Sequence, residues 1–315
     1  MSDTRLDTLR MIDPVLTSLA QGYNPVNLIG QYLFPTVSVR KQKGRIPIFG
    51  KDAFVLRETH RAIRSNSNRI PPMDFETIEF TLQERDLEVA MDYLEESETY
   101  NLLKYEQKLT ANLLDILALE KEKAIADYAQ NPANFDLTMK LELSAGEGYN
   151  SSTGESPIDT IKEGIEQVRK SISQSPNTLI IGSDAYQAII SHSAFTSKIQ
   201  YIGQFQANIR MLKEIFDVRN VRIGKSVSSA DGNTFSDIWH DNVIIAYVDM
   251  EEKNNRSQYN PSYGYIFQKE GMPEIDSYYE NGGKIKVIRA TENWGMKVVM
   301  ADAAYLITGC APELT

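Results

Sequence analysis

The period of the apolar residues changes along the chain, and each change marks a new element. The run DFETIEFTLQERDLEVAMDYL, from Asp74, alternates. Phe75, Thr77, Glu79 and Thr81 fall on one side, and Glu76, Ile78, Phe80 and Leu82 on the other, with Leu87 and Val89 continuing. Period two predicts a long, half-polar strand. Upstream, Thr36–Arg40 and Arg45–Phe49 read as extended pieces, so residues 45–90 form strand, loop and strand, a long hairpin. Two strands alone are not stable in water, and the hairpin needs a surface to lie on.

From Glu95 the period changes. Leu102, Leu109, Leu113, Ile116, Leu117, Ala124 and Tyr128 recur at helical steps, predicting one helix over about 97–130. At 1.5 Å per residue it spans roughly 45 Å. Glu95, Glu96 and Glu98 suit its positive end, Ser97 or Thr99 can cap it, and Asn131-Pro132 stops it. After a Gly/Ser loop, Ser156-Pro157 opens a helix with the stripe Ile158, Ile161, Ile165, Val168 and Ile172. NTLIIG (177–182) reads as a buried strand, Ser183 as the cap of DAYQAIISHS, FQANIRMLKEIF as a helix and NVRIG as a strand. Val227–Trp239 reads as a hairpin around Asp231-Gly232-Asn233, and Val243–Val248 as a strand. Strands follow at 263–268, 284–290, 297–300 and 304–308. Before the hairpin, Pro14, Pro25 and Pro35 interrupt every helical window, which predicts an extended N-terminal arm making contacts between subunits. The class is α+β, and the unit at about 150–255 is expected to fold around its own core.

Composition is that of a globular chain: 315 residues, 42% hydrophobic and 24% charged. The single cysteine, Cys310, excludes an intrachain disulfide and a cysteine metal site, and fits a reducing compartment. The charged N-terminal stretch MSDTRLDTLRMIDPV does not read as a signal peptide, and the longest apolar run, Val243–Val248, is far short of a membrane span, so an intracellular soluble chain is expected. A formal charge of -10 repels nucleic acid over most of the surface. Against it stands RETHRAIRSNSNRIPP (57–72), with Arg57, Arg61, Arg64, Arg69 and His60 opposed by one glutamate. No aromatic residue interleaves these arginines, so base stacking is not their chemistry.

Motifs for catalysis fail on inspection. Gly224-Lys225-Ser226 ends like a phosphate-binding loop, but Arg219 stands where the first glycine belongs. Gly182-Ser183-Asp184 follows a strand as a nucleophile elbow does, without the flanking glycines. His60, His192 and His240 are too scattered for zinc, and DMEEKNNRSQYN lacks calcium-loop spacing. Trp294, Tyr278 and Tyr279 read as packing residues, His240-Asp241 as a turn, and the sequon at Asn150 as chance. No catalytic, cofactor or metal residue is assigned.

The order of parts, with LFPTVSV followed by GRIPIFGKDAF, then NTLIIGSDAYQAIISHSAF, then VRIGKSVSSADG and DNVIIAYV, resembles the major capsid proteins of tailed double-stranded DNA bacteriophages, whose Hong Kong phage fold is shared with encapsulins. The resemblance covers nearly the whole chain. It implies an N-terminal arm (1–45), an extended hairpin loop (46–92), a peripheral domain (93–150 and 256–315) with the long helix as spine, and an axial domain (151–255). It implies a structural subunit, not an enzyme, that joins copies of itself in hexamers and pentamers around DNA. Assembly is then expected in the host cytoplasm, the product being the virion, with a separate scaffolding protein and a portal as partners. The hairpin would lie on a neighbouring copy, its arginines meeting carboxylates such as Glu95, Glu96 and Glu98. The other readings are an encapsulin-like cargo shell and a soluble α/β enzyme with a dispersed site.

Overall fold

The computed structural model describes residues 11–23, 27–47, 56, 59–61, 63, 66–69, 77–98, 102–144, 146–151, 154–202, 209–251 and 260–312. In chain order the elements are β1 (Met11–Ile12), α1 (Pro14–Gln21), β2 (Thr36–Val39), β3 (Lys43–Pro47), β4 (Thr77–Thr81), β5 (Gln83–Asp92), α2 (Tyr93–Glu98) and α3 (Leu102–Ala129). Then come β6 (Lys140–Glu142), α4 (Pro157–Ile172), β7 (Thr178–Gly182), α5 (Ser183–Ser191), α6 (Ser193–Ile202), α7 (Ile209–Phe216) and β8 (Asn220–Gly224). β9 (Val227–Ser228), β10 (Ser236–Asp237), β11 (Val243–Ala246), β12 (Gly264–Lys269), β13 (Glu274–Glu280), β14 (Ile285–Val298) and β15 (Ala304–Thr308) follow.

Two sheets carry the architecture. The first runs β1-β13-β14-β12-β2, with β5 also paired to β14, from Gln83 opposite Trp294 to Asp92 opposite Ile285. The second runs β6-β15-β11-β7-β8. β7 and β11 are buried at every position, as strands covered on both faces must be. The long helix α3 belongs to both sheets. Leu113, Leu114 and Leu117 pack on Ile275, Ile288 and Ala290 of the first. Further along, Ile125, Ala126 and Ala129 enter a core that contains Val168 of α4, Ile180 of β7, Ile244 of β11 and Trp239.

The expected α+β class and most of the expected elements are present, with corrections. The arm is not extended throughout. Pro14 sits at N1 of α1, where its missing N–H costs nothing, and the Asp13 carboxylate accepts from the N–H groups of Val15 and Leu16, both at 2.9 Å. Within the arm Leu16, Ala20, Leu33 and Phe34 are buried in their own chain. The alternating run breaks in two. Its apolar positions are even up to Leu82 and odd from Leu87, and the phase slip falls between β4 and β5. β4 pairs with β3 as the expected hairpin, whereas β5 joins the body sheet. At that junction Gly295 of β14 passes so close that a Cβ would lie 2.5 Å from the Thr81 carbonyl oxygen. The long helix begins at Leu102, after the separate α2, and Ser97 does not cap it but donates to the Leu94 carbonyl. Gly182, not Ser183, precedes α5. The expected strands at 284–290 and 297–300 are one strand, β14, and β13 and α6 were not foreseen.

β15 sits in the second sheet between β6 and β11, with Ile307 opposite both Leu141 and Val243. The stretch 151–255 by itself therefore lacks β15, the strand that flanks β11.

Candidate functional site

The root of the β3–β4 hairpin is fixed to its own chain. Ile46, Phe80 and Leu82 cluster with Val37, Tyr265, Phe267 and Val299, and the rings of Phe80 and Phe267 stack at 4.5 Å. Between β3 and β4, residues 56, 59–61, 63 and 66–69 are described. Of the sequence-named arginines there, Arg57 and Arg64 lie outside the described residues. Arg61 and Arg69 are described and exposed. Asn68 donates through Nδ2 to the His60 carbonyl at 3.1 Å. Leu56 and Ile63 are 99% and 93% exposed, two large apolar side chains without cover from their own subunit.

The acidic residues named with those arginines are partly committed elsewhere. Glu95 accepts from the Asp92 N–H at 3.2 Å, while the Asp92 carboxylate accepts from the Leu94 N–H at 3.0 Å. This reciprocal pairing is a capping arrangement at the start of α2. Glu96 is half-buried and contributes to the field at Lys286. Burial alone would lower the Lys286 pKa, but its hydrogen bond to Glu106, with that carboxylate's charge, holds it above the ordinary value. Glu98 is exposed, and neither it nor Arg69 makes an ion pair with a described residue.

A second acidic surface was not found from sequence. The ladder of β13, β14 and β5 places Asp276, Arg289 and Glu88 in one row, Tyr278, Val287 and Ala90 in the next, and Glu280, Ile285 and Asp92 beyond. Alternate rows, with Ile275, Ala290 and Leu87, face α3. The opposite face therefore carries Asp86, Glu88, Asp92, Glu274, Asp276 and Glu280 around Arg289. Asp276 holds Arg289 in two hydrogen bonds, 3.0 and 2.6 Å, which raises the guanidinium's pKa. Glu88 accepts from the Tyr278 hydroxyl at 2.9 Å. The available signal was that Glu84, Asp86, Glu88 and Asp92 of β5, and Glu274, Asp276 and Glu280 of β13, fall on one phase of the alternation.

A buried carboxylate fixes this frame to the second sheet. Glu122 of α3 is 3% exposed. It accepts from the N–H groups of Ile29 and Gly30 at 2.9 and 2.7 Å and from the Trp239 indole at 2.7 Å. One side chain thus ties the arm, the long helix and the α/β core. Beside it Lys121 pairs with Glu292 at 2.7 Å, and Arg85 lies 3.8 Å over the Trp294 ring. Glu122 stands at helical spacing with Ala126 and Ala129, so a charge on an apolar stripe was its sequence signal.

The rejected catalytic motifs prove to be packing features. A Cβ at Gly224 would meet the Trp239 ring at 2.4 Å, and one at Gly182 would lie 1.9 Å from the His240 carbonyl oxygen. Burial, then the charges of Asp237 and Asp241, raises the Asp184 pKa, with His240 opposing. Among the described residues no His, Cys, Asp and Glu group is placed to hold a metal ion, and no helix is long and apolar enough to cross a membrane.

Two sheets share one long helix, the β3–β4 hairpin is rooted in its own chain, and Leu56 and Ile63 beyond that root are exposed. Comparison with known proteins places the chain. No protein-family model matches the chain. The major capsid protein of Burkholderia phage BcepMu is 40% identical over 306 residues, covering 97% of this chain and 98% of that one. A phage-related protein from Bordetella bronchiseptica, solved by crystallography, has a TM-score of 0.81 at 27% identity, covering 96% of this chain and 98% of that one. The capsid of cyanophage P-SCSP1u matches at a TM-score of 0.58 and 12% identity, over 89% and 87% of the two chains, showing the shared fold. The chain belongs to the family of phage major capsid proteins, with the Hong Kong phage capsid fold. Its role is that of a capsid structural subunit, and the enzyme reading is not favoured.

Proposed function

We propose that this subunit assembles with copies of itself in hexamers and pentamers into a closed shell around double-stranded DNA, and that the basic hairpin is one of its joints. A separate scaffolding protein and a portal complete the set of partners, assembly takes place in the host cytoplasm, and the virion is the destination. The observation that carries the joint is the exposure of Leu56 and Ile63 on a segment rooted firmly in its own body. Apolar side chains held out this way gain stability when a second surface covers them. Copies in a ring present the same patch to the same recess, so each contact is heterologous and repeated.

Charge selects the recess. The segment with Arg57, Arg61, Arg64 and Arg69 fits the acidic open face of β5 and β13 better than Glu95 and Glu96, which serve their own subunit. An exposed ion pair contributes below about 1 kcal/mol, but a shell repeats it in every copy. Changing Arg57, Arg61, Arg64 and Arg69 together to Glu is expected to leave the unassembled subunit's melting temperature within about 2 °C of the parent, because exposed ion pairs add little to one fold. Electron microscopy should show few or no shells, and Asp86→Lys with Glu88→Lys should restore some. Normal shells from the reversed protein, with weakened DNA retention, would make the hairpin a nucleic-acid arm instead.

A further inference from the structure

The turn between β13 and β14 holds chemistry outside the proposed joint. It runs from Asn281 to Lys284, past the last ladder pair, Glu280 opposite Ile285. Asn281-Gly282 is the chain's one Asn-Gly pair. Three consecutive residues sit at positive φ: Asn281 at 49°, Gly282 at 67° and Gly283 at 91°. All are exposed, and nothing lies within 4 Å of the place a Cβ would occupy on either glycine. The Asn281 side chain makes no hydrogen bond with any described residue.

We propose that Asn281 is a site of spontaneous deamidation. The Gly282 nitrogen, having lost its proton to hydroxide, attacks the Asn281 Cγ. A C–N bond closes a five-membered imide, and the side-chain amide leaves as ammonia. Water then opens the imide at either carbonyl, giving aspartate or its isoaspartyl isomer. Water is the only reactant consumed, and nothing is oxidised or reduced. Gly282 permits the attack because no side chain shields its nitrogen. The backbone of Asn281 must rotate to bring the atoms together, and that rotation leaves a left-handed conformation unfavourable for a residue with a Cβ. The turn projects from the end of the ladder, so the rotation disturbs no buried side chain.

Three other asparagines are held. Asn177 donates to the Val248 carbonyl and accepts from its N–H; Asn242 donates to Gln130; Asn293 is 1% exposed and bonded to Gln42. The similar pair Asp231-Gly232 is protected differently. The Asp231 carboxylate accepts from the N–H groups of Asn233 and Thr234 and from the Ser229 hydroxyl, and the Gly232 N–H donates to that same hydroxyl at 2.9 Å. An ionised, anchored carboxylate does not expel oxide, and the attacking nitrogen is occupied. At Asn281 the product carries a new negative charge beside Glu280 and Asp92. The isoaspartyl form also lengthens the main chain of the turn that starts the β13–β14 ladder. Each copy would age independently, so an old particle would be chemically mixed.

The full-length folded protein, unassembled and as shells, is incubated at mildly acidic and mildly alkaline pH and digested with trypsin. The peptide Glu270–Lys284 contains Asn281 and no other asparagine. Its mass should rise by the replacement of NH2 with OH, faster at the higher pH. An isoaspartyl methyltransferase should label the same peptide. The rate should exceed that of any other asparagine peptide by more than about tenfold, or about 1.4 kcal/mol of barrier. The peptide carrying Asp231 should take no label. An unchanged Asn281 peptide while others convert, or conversion seen only in denaturant, overturns the assignment.

Discussion

The Glu122 clasp is open to a quantitative test through Glu122→Gln. The carboxylate satisfies three donors with two oxygens: Oε1 takes the Ile29 N–H and the Trp239 indole, and Oε2 takes the Gly30 N–H. A glutamine of the same shape has one acceptor. If its oxygen replaces Oε1, its NH2 faces the Gly30 N–H, and one buried donor is left unpaired at about 1–3 kcal/mol. The two surviving bonds lose the charge assistance that roughly doubles a hydrogen bond. Relief from burying a charge offsets part of this, so a net loss of about 2–3 kcal/mol is expected. Scaling an unfolding entropy near 2.1 cal/mol/K per residue to this length gives about 1.5 °C per kcal/mol, hence a fall of roughly 3–5 °C. Glu122→Ala leaves all three donors unpaired and should lose more. Calorimetry reads the first number. Hydrogen exchange reads the cause, because the amides of Ile29 and Gly30 should exchange faster while those of β7 change less. A Glu122→Gln protein that melts within about 1 °C of the parent, with unchanged exchange at both amides, would refute the clasp.

Further outcomes follow from other parts of the fold. The hydrogen bonds of Asp231 lower its pKa to about 2, the backbone N–H groups of Thr234 and Asn233 being the main cause. A depressed folded pKa gives stability that is present above the unfolded value of 3.8 and lost as pH falls towards 2, so Asp231→Ala should be less stable than the parent at neutral pH and converge with it over that window in acid melts. The fragment 151–255 should be largely unfolded by circular dichroism. Supplying 140–142 and 304–308 in a rearranged chain should recover a cooperative transition, and a folded bare fragment would contradict the strand order. The charge-reversed hairpin described above tests the joint itself.

Most strands and the long helix were legible because their periods are unambiguous. Where the reading failed, a local rule met a different context. Pro14 reads as a breaker by local rule, yet behind Asp13 it is a helix start. Glu274–Glu280 escaped because Ile275, Ser277 and Tyr279 alternate with Asp276, Tyr278 and Glu280, so neither side looks apolar. The pairing of β15 with β6 links residues more than 160 positions apart, from Lys140 to Leu306, and no local pattern announces it. Of the candidate site, the basic hairpin was visible in composition. The acidic face was not, since it forms only when β5 and β13 meet across β14.

The position of β15 also sets an order in time. It is the last described strand to leave the ribosome, and it fills the gap between β6 and β11. A nascent chain can form the first sheet while its second sheet still stands open at two edges. Pairing over such separations is slow compared with local folding. Synthesis itself takes on the order of tens of seconds at 5–20 residues per second. A chain that stops short of β15 therefore lacks the strand that joins β6 to β11, and its α/β body stays unfinished.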